Sequence, residues 1–297
     1  MQLLGEKSMK KLSKEELKEL YKKYSSKNLN MSLDEQLYEM FKIVKESDKD
    51  SFEDFRIEIL NANNINEYEY YTKNVNPDLK KYIETDIFPE YSKNDQGHGI
   101  LHIREVIRRA FALNSTLKLK LDENMIYAIA SCHDLGKYID HENHNLIAGK
   151  IFFEDKNMKK FFTDEQRQII KEAIEDHRSS LKEIPRSIYG KLISSADRNT
   201  RIEIVFIRSF FVGKWRTPND TIEDFLEFTY KRLSKRYGEE NPENMFLEDE
   251  IYRIFLKDMR NLLKNEKEFK DRYCKVNHIK SRKHKLFEEE GEVAYTL

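Results

Sequence analysis

Glycine and proline are scarce in this chain, at 9 and 5 of 297 residues. A protein of many tight-turned strands needs more of both, so an all-β architecture is set aside. Cysteine is limited to Cys132 and Cys274, which form no motif. Cys132 lies in an apolar run, as a buried reduced thiol would, and this usage suits a reducing, cytoplasmic compartment. Neither sign of charge is in excess: 53 basic residues face 54 acidic ones, for a formal net charge of −1. That balance argues against a dedicated nucleic-acid binder. No segment approaches the roughly 20 apolar residues of a membrane helix, so no membrane association is expected. The first residues, MQLLGEKSMKKLSKEE, lack the apolar stretch of a signal peptide.

What is present points to helices. The 18 Phe and 16 Tyr can fill a real core, and abundant Lys, Glu and Leu favour helical backbone. Residues 9–24 predict a surface helix with a narrow stripe of Leu12, Leu17, Leu20 and Tyr21. Residues 32–46 predict a second, and the Asn-rich stretch that follows reads as less regular. Residues 1–80 are therefore expected to form a helical appendage or small domain. Residues 81–297 form the remainder, with helical extensions after the motif-bearing core of 90–210. Within that core, a helix is predicted over about 98–113. Another follows Asp122, whose carboxylate can cap it, and stops near Gly136. A short helix covers 143–154. Thr163 and Gln166 then form a capping-box pattern that opens a helix running to about His177. IYGKLISSADRNTRIEIVFIRSFF reads as one long helix, and helices near 220–236 and 248–265 complete an all-α chain. The locally basic KVNHIKSRKHK, with His278, reads as a solvated tail. A long amphipathic C-terminal helix could pack on its own core or on a neighbour, leaving an oligomer open.

The informative residues lie between 98 and 197: His98, His102, His133-Asp134, His144, His177 and Asp197. Taken singly, each has an ordinary explanation. His133-Asp134 could be a packed His beside a capping Asp. Asp197 could pair with Arg198 or Arg201. Yet His133-Asp134 ends an apolar helix, where ionisable groups are costly unless paired or metal-bound. Asp197 follows Leu192, Ile193 and Ala196 in a segment that should be buried, where a lone carboxylate would be protonated or destabilising. His98 and His102 stand one helical turn apart, so either can face such a site. Imidazoles and carboxylates together suit Mn, Fe, Co, Ni, Zn or Mg rather than Ca. Lys137, Arg178 and Arg198 border or follow these residues and could bind a phosphate. Lys137 could also donate a proton to a leaving group. His141, one turn short of His144, reads as a loop residue.

The order His102, His133-Asp134, Asp197 resembles the H…HD…D signature of HD-domain metal-dependent phosphohydrolases, and HIREV and CHDLGK resemble the family's first two ligand helices. GHG followed by HI, EDHR and SSADR resemble segments of uncharacterised bacterial HD proteins. The resemblance implies a helical bundle, and a metal held by His102, His133, Asp134 and Asp197, with Asp134 also orienting the attacking water. It aligns the first ligand with His102 and leaves His98 as a substrate contact. It implies a possible second ion at His144 and His177, or else substrate contacts there. The expected reaction is hydrolysis of a nucleotide or another small phosphorylated compound. A nucleotide sensor or scaffold without turnover, and a di-iron oxygenase, are the alternatives. The Glu-Asp pair that stringent-response hydrolases carry just after their HD dipeptide is absent, since Leu135, Gly136, Lys137 and Tyr138 follow instead.

Overall fold

A computed structural model describes residues 12–27, 31–45, 52–178, 183–240, 245–283 and 285–286. The helices run α1 Lys14–Ser25, α2 Leu33–Lys45, α3 Phe52–Asn63, α4 Glu67–Thr72, α5 Pro77–Tyr82, α6 Ile100–Thr116, α7 Glu123–Cys132, α8 His144–Glu154, α9 Asp164–Glu175, α10 Ile188–Ala196, α11 Ile202–Arg216, α12 Ile222–Tyr237, α13 Glu250–Leu263 and α14 Glu266–Val276. Between α5 and α6 the chain winds through a π turn at Ile83–Ile87 and short 3₁₀ turns. Among the described residues there is no strand, only an isolated bridge between Thr221 and Lys285. No helix among them is long and apolar enough to cross a membrane.

The chain divides into two compact units, Met1–Asp197 and Arg198–Leu297. The first is built on α6, α7, α9 and α10. Ile103, Val106, Ile107 and Ala110 of α6 are buried, as are Ile126, Ile129 and Ala130 of α7, Ile170 and Ile174 of α9, and Leu192 and Ile193 of α10. Each large apolar side chain so buried contributes about 1.5–3 kcal/mol. Asp122 caps α7 by accepting from the Asn124 and Met125 amides at 2.8 and 3.2 Å. Thr163 and Gln166 form the predicted capping box at α9. Gly136 has φ +80°, the left-handed conformation in which a side chain is strained.

A buried charge network joins α2, α3, α4 and α6. Arg108 donates to both Glu105 oxygens at 3.0 and 2.6 Å and lies 3.6 Å from Asp34 and from Glu67. Arg56 donates to Glu53 at 2.9 Å and also binds Glu67. With Asp34, Glu53, Arg56 and Arg108 all buried, each charge depends on the others for solvation.

Three predicted elements differ. The stretch expected to be irregular forms α3 and α4, because Phe52, Phe55, Ile59 and Leu60 bury one face there. The expected long helix is divided into α10 and α11 around Asp197. Arg109 of α6 donates to the Ala196 and Ser195 carbonyls at 3.3 and 3.5 Å, oxygens that a continuing helix would have paired with later amides. The C-terminal end carries α14 as well as α13. The predicted 9–24 helix begins at Lys14, and its first residues lie outside those described. Part of the basic tail, including residue 284, also lies outside them.

The second unit has an aromatic core of Phe206, Phe210, Phe225, Phe255, Phe269 and Tyr273. Within it Ser209 and Tyr273 share a hydrogen bond of 2.8 Å. Lys270 stands at 2.8–3.2 Å from Glu223, Glu227 and Glu266.

Candidate metal centre

Helix ends of the first unit bring six side chains together. His133 caps α7 and Asp134 follows it; His177 lies just past α9; Asp197 caps α10. His144 opens α8, and His102 sits in the first turn of α6. Three of these helices thus point their C-terminal ends, with their partial negative charge, at the cluster, and that field favours a cation.

Proton positions follow from the backbone. The Nδ1 atoms of His133, His144 and His177 lie 2.8, 2.9 and 2.7 Å from the carbonyls of Ala130, His141 and Ile174. A carbonyl only accepts, so each Nδ1 carries a proton and each ring turns its Nε2 toward the centre. Burial lowers the His177 pKa, outweighing Asp134 and holding the ring neutral. The Nε2 atoms of His144 and His177 face each other at 3.1 Å. Two lone pairs at that distance repel unless a proton or cation lies between them. The buried Nε2 of His133 makes no hydrogen bond.

Asp134 divides the cluster. Its Oδ2 lies 3.6 Å from His102 Nε2 and 3.5 Å from His133 Nε2. Its Oδ1 lies 3.2 Å from His144 Nε2 and 3.6 Å from His177 Nε2. Asp197 Oδ1 completes the first side, 3.0 Å from His102 and 3.9 Å from His133. Two donors each about 2.1 Å from one ion stand roughly 3.0–3.4 Å apart, so these separations fit ligand sets needing only small closure. Two groups capable of holding an ion are His102, His133 and Asp197, and His133, Asp134 and His177. Burial alone would raise the Asp134 carboxyl, but His133, His144, His177 and Lys137 hold it well below the usual range. At Asp197 burial is likewise outweighed, chiefly by His102, and its carboxyl is also lowered. Both are anions at neutral pH.

The neighbouring candidates are placed as follows. Lys137 Nζ, largely buried, lies 3.6 Å from Asp134 Oδ1 and 3.4 Å from His144 Nε2. His98 Nδ1 is held by both oxygens of Asp95 at 2.8 and 2.9 Å. Arg178 donates to the Glu142 carbonyl. Arg198 belongs to the second unit, where its guanidinium lies over the rings of Tyr252 and Phe246 at 5.2 and 5.9 Å.

Sequence reasoning missed the residues that hold these segments in place. Asn94 donates to the carbonyls of His98 and Asp134 at 3.2 and 3.1 Å and accepts from the Tyr138 amide at 3.1 Å. It joins the approach to α6 to the turn that carries Asp134. Asn145, beside His144, donates to the Glu175 carbonyl at 2.6 Å, two residues before His177. Arg109, two turns along α6 from His102, holds the end of α10 from which Asp197 projects. The sequence offers no signal for these bonds, which join segments far apart in the chain.

A helical cluster of four imidazoles around two ionised carboxylates defines the class: a candidate metal centre of histidines and aspartates in an all-α unit. Residues 99–202 match the family model described as HD domain. This segment is similar to HD domains, a superfamily of metal-dependent phosphohydrolases. An uncharacterized protein of Clostridium beijerinckii (strain ATCC 51743 / NCIMB 8052) is 29% identical over 108 residues, covering 35% of this chain and 66% of that protein. The match therefore spans just under two thirds of that relative's length. No solved structure matches the chain.

Proposed function

We propose that this chain hydrolyses a phosphate ester of a nucleotide or another small phosphorylated compound, with divalent ions held by His102, His133, Asp134 and Asp197 and by Asp134, His144 and His177. The observation that carries this reading is the division of Asp134, whose two oxygens face two different pairs of imidazoles. A carboxylate so placed can serve two ions at once.

A divalent ion held by these residues would lower the pKa of water from about 15.7 toward 7 and polarise a phosphoryl oxygen. The chain's own groups supply the rest. Asp134 stays ionised and accepts a hydrogen bond that orients the attacking water. His133, His144 and His177 keep their lone pairs inward because their carbonyl partners fix the tautomer. Lys137 Nζ lies beside the same carboxylate. There it can neutralise charge developing on the phosphoryl oxygens and pass a proton to the leaving oxygen. His98, whose Nδ1 is held by Asp95, and Arg178, which donates to the Glu142 carbonyl, are the substrate contacts of this reading within the first unit.

The test is elemental analysis of the protein as isolated, with a phosphomonoester and phosphodiester panel run on the same sample. One or two transition-metal ions per chain and phosphate release are expected. Silence across the panel, while a control HD enzyme turns over, defeats the reading. Tightly held iron with oxygen consumption would instead assign an oxygenase. Nucleotide binding with no product would assign a sensor.

A further inference from the structure

The two sides of Asp134 differ in charge. On the Oδ2 side stand His102, His133 and a second carboxylate, Asp197. On the Oδ1 side stand His144 and His177. Lys137 Nζ belongs to this second side, 3.6 Å from Oδ1 and 3.4 Å from His144 Nε2. An ammonium only donates, so His144 Nε2 is the acceptor of that contact. Oδ1 and His144 Nε2 are also two of the three atoms an ion on this side would use. The first side thus gathers two carboxylates, while on the second a single, shared carboxylate already faces an ammonium.

The placement of Lys137 is built into the backbone. Gly136 turns the chain in the left-handed region at φ +80°, and the Lys137 amide donates to the Asp134 carbonyl at 3.3 Å. Asn94 holds this turn at both ends, donating to the Asp134 carbonyl and accepting from the Tyr138 amide, each at 3.1 Å. Lys137 is thereby returned to the carboxylate three residues before it. Its side chain is only 8% exposed, so Asp134 and His144 largely replace water around the charge. A divalent ion bound to Oδ1 and His144 Nε2 would become a near neighbour of this ammonium, and like charges so close in a buried site repel strongly. The ion and Lys137 therefore compete for the same two atoms. An ion on the Asp197 side is drawn by two carboxylates instead. The flexible four-carbon stem of lysine lets its ammonium withdraw, and an arriving phosphoryl group offers it another anion to pair with.

We propose that Lys137 holds the place of the second ion, at Asp134, His144 and His177, in the substrate-free protein, and yields it when a phosphoryl anion draws the ammonium away. This rests on the two-ion hydrolase reading and orders its assembly: the ion on the Asp197 side binds first, then the phosphoryl group and the second ion together. Phosphate and the second ion tighten each other's binding, because coupling between two ligands is reciprocal.

The experiment titrates manganese(II) by calorimetry into the full chain stripped of metal, with and without inorganic phosphate. It compares the natural chain with Lys137→Met and with Lys137→Gln, which keeps N–H donors but not the charge. Elemental analysis, circular dichroism and ester hydrolysis are measured on the same samples. The natural chain should bind one ion tightly and a second about 10-fold or more weakly, with phosphate narrowing the gap. In both variants the second ion should tighten by about 10-fold without phosphate, the first should keep its affinity, and the effect of phosphate on the second should shrink. Hydrolysis should fall even as the second ion binds better, which a merely structural lysine would not produce. A second ion no tighter in either variant overturns the proposal and leaves the hydrolase reading standing. Equal tightening of both ions overturns it too, because Lys137 would then act on the whole centre. Loss of helicity in both variants marks Lys137 as structural and also overturns it. A second ion that tightens in the variants of a protein without esterase activity supports the competition and removes the hydrolase reading. A chain that binds no ion in any form overturns both.

Discussion

Replacing Asn145 by alanine removes one hydrogen bond at the joint between α8 and α9. The side chain is 5% exposed, and its amide donates to the Glu175 carbonyl at 2.6 Å. Alanine leaves that carbonyl without this donor in a place where water is scarce. A buried polar group stripped of its partner costs about 1–3 kcal/mol. The gain in helix propensity from Asn to Ala recovers at most about 0.7 kcal/mol. A net loss of about 1–2 kcal/mol of stability is expected by urea unfolding. The effect on the centre should be more selective. His144 adjoins Asn145, and His177 follows Glu175 by two residues, so loosening this joint separates the two imidazoles facing Asp134 Oδ1. Outer partners of metal ligands typically account for 10–100-fold in affinity. If two ions bind as proposed, chelator-competition titration should therefore show the one on the His144–His177 side weakened by roughly 10-fold, while the one on the His102–Asp197 side keeps its affinity. Equal weakening of both ions, or of neither, would refute the assignment of Asn145 to one half of the centre.

Asp134→Ala removes the carboxylate that faces both groups of imidazoles; elemental analysis should find bound metal nearly abolished, with the circular dichroism of the helices retained. Gly136→Ala forces a side chain at φ +80° and places its Cβ 2.6 Å from Ile147 Cγ2, so thermal unfolding should show a loss of about 2–4 kcal/mol, and no loss would reject the left-handed turn. Glu105 is held at about 2, burial being outweighed by Arg108. Its folded pKa lies below the ordinary 4.5, so its contribution is present above about pH 4.5 and disappears as pH falls toward 2. Its side chain is 41% exposed, so solvent screens that contribution, and Glu105→Gln should flatten the acid limb of the stability curve only partly. Arg108→Ala strands Asp34 and Glu67 among buried groups and should lower stability by about 3–5 kcal/mol, measured by urea unfolding at neutral pH.

The sequence by itself determined the all-helical class, because apolar residues recur at helical spacing and the caps Asp122 and Thr163 are local signals. The cost of burying ionisable groups singled out His133, Asp134 and Asp197, while His102, His144 and His177 were placed beside them by the resemblance to HD-domain hydrolases. The tertiary structure decided matters that depend on contacts between distant segments. Arg109 ends α10 from across the fold, which no reading of residues 186–212 alone could reveal. Asn94 and Asn145 are ordinary loop and helix-start residues until their carbonyl partners arrive from other segments. His141 reads as a loop residue in sequence, and only the braced turn brings its ring opposite His98. Periodicity encodes which face of an element is buried; which atoms meet there depends on how the helices pack.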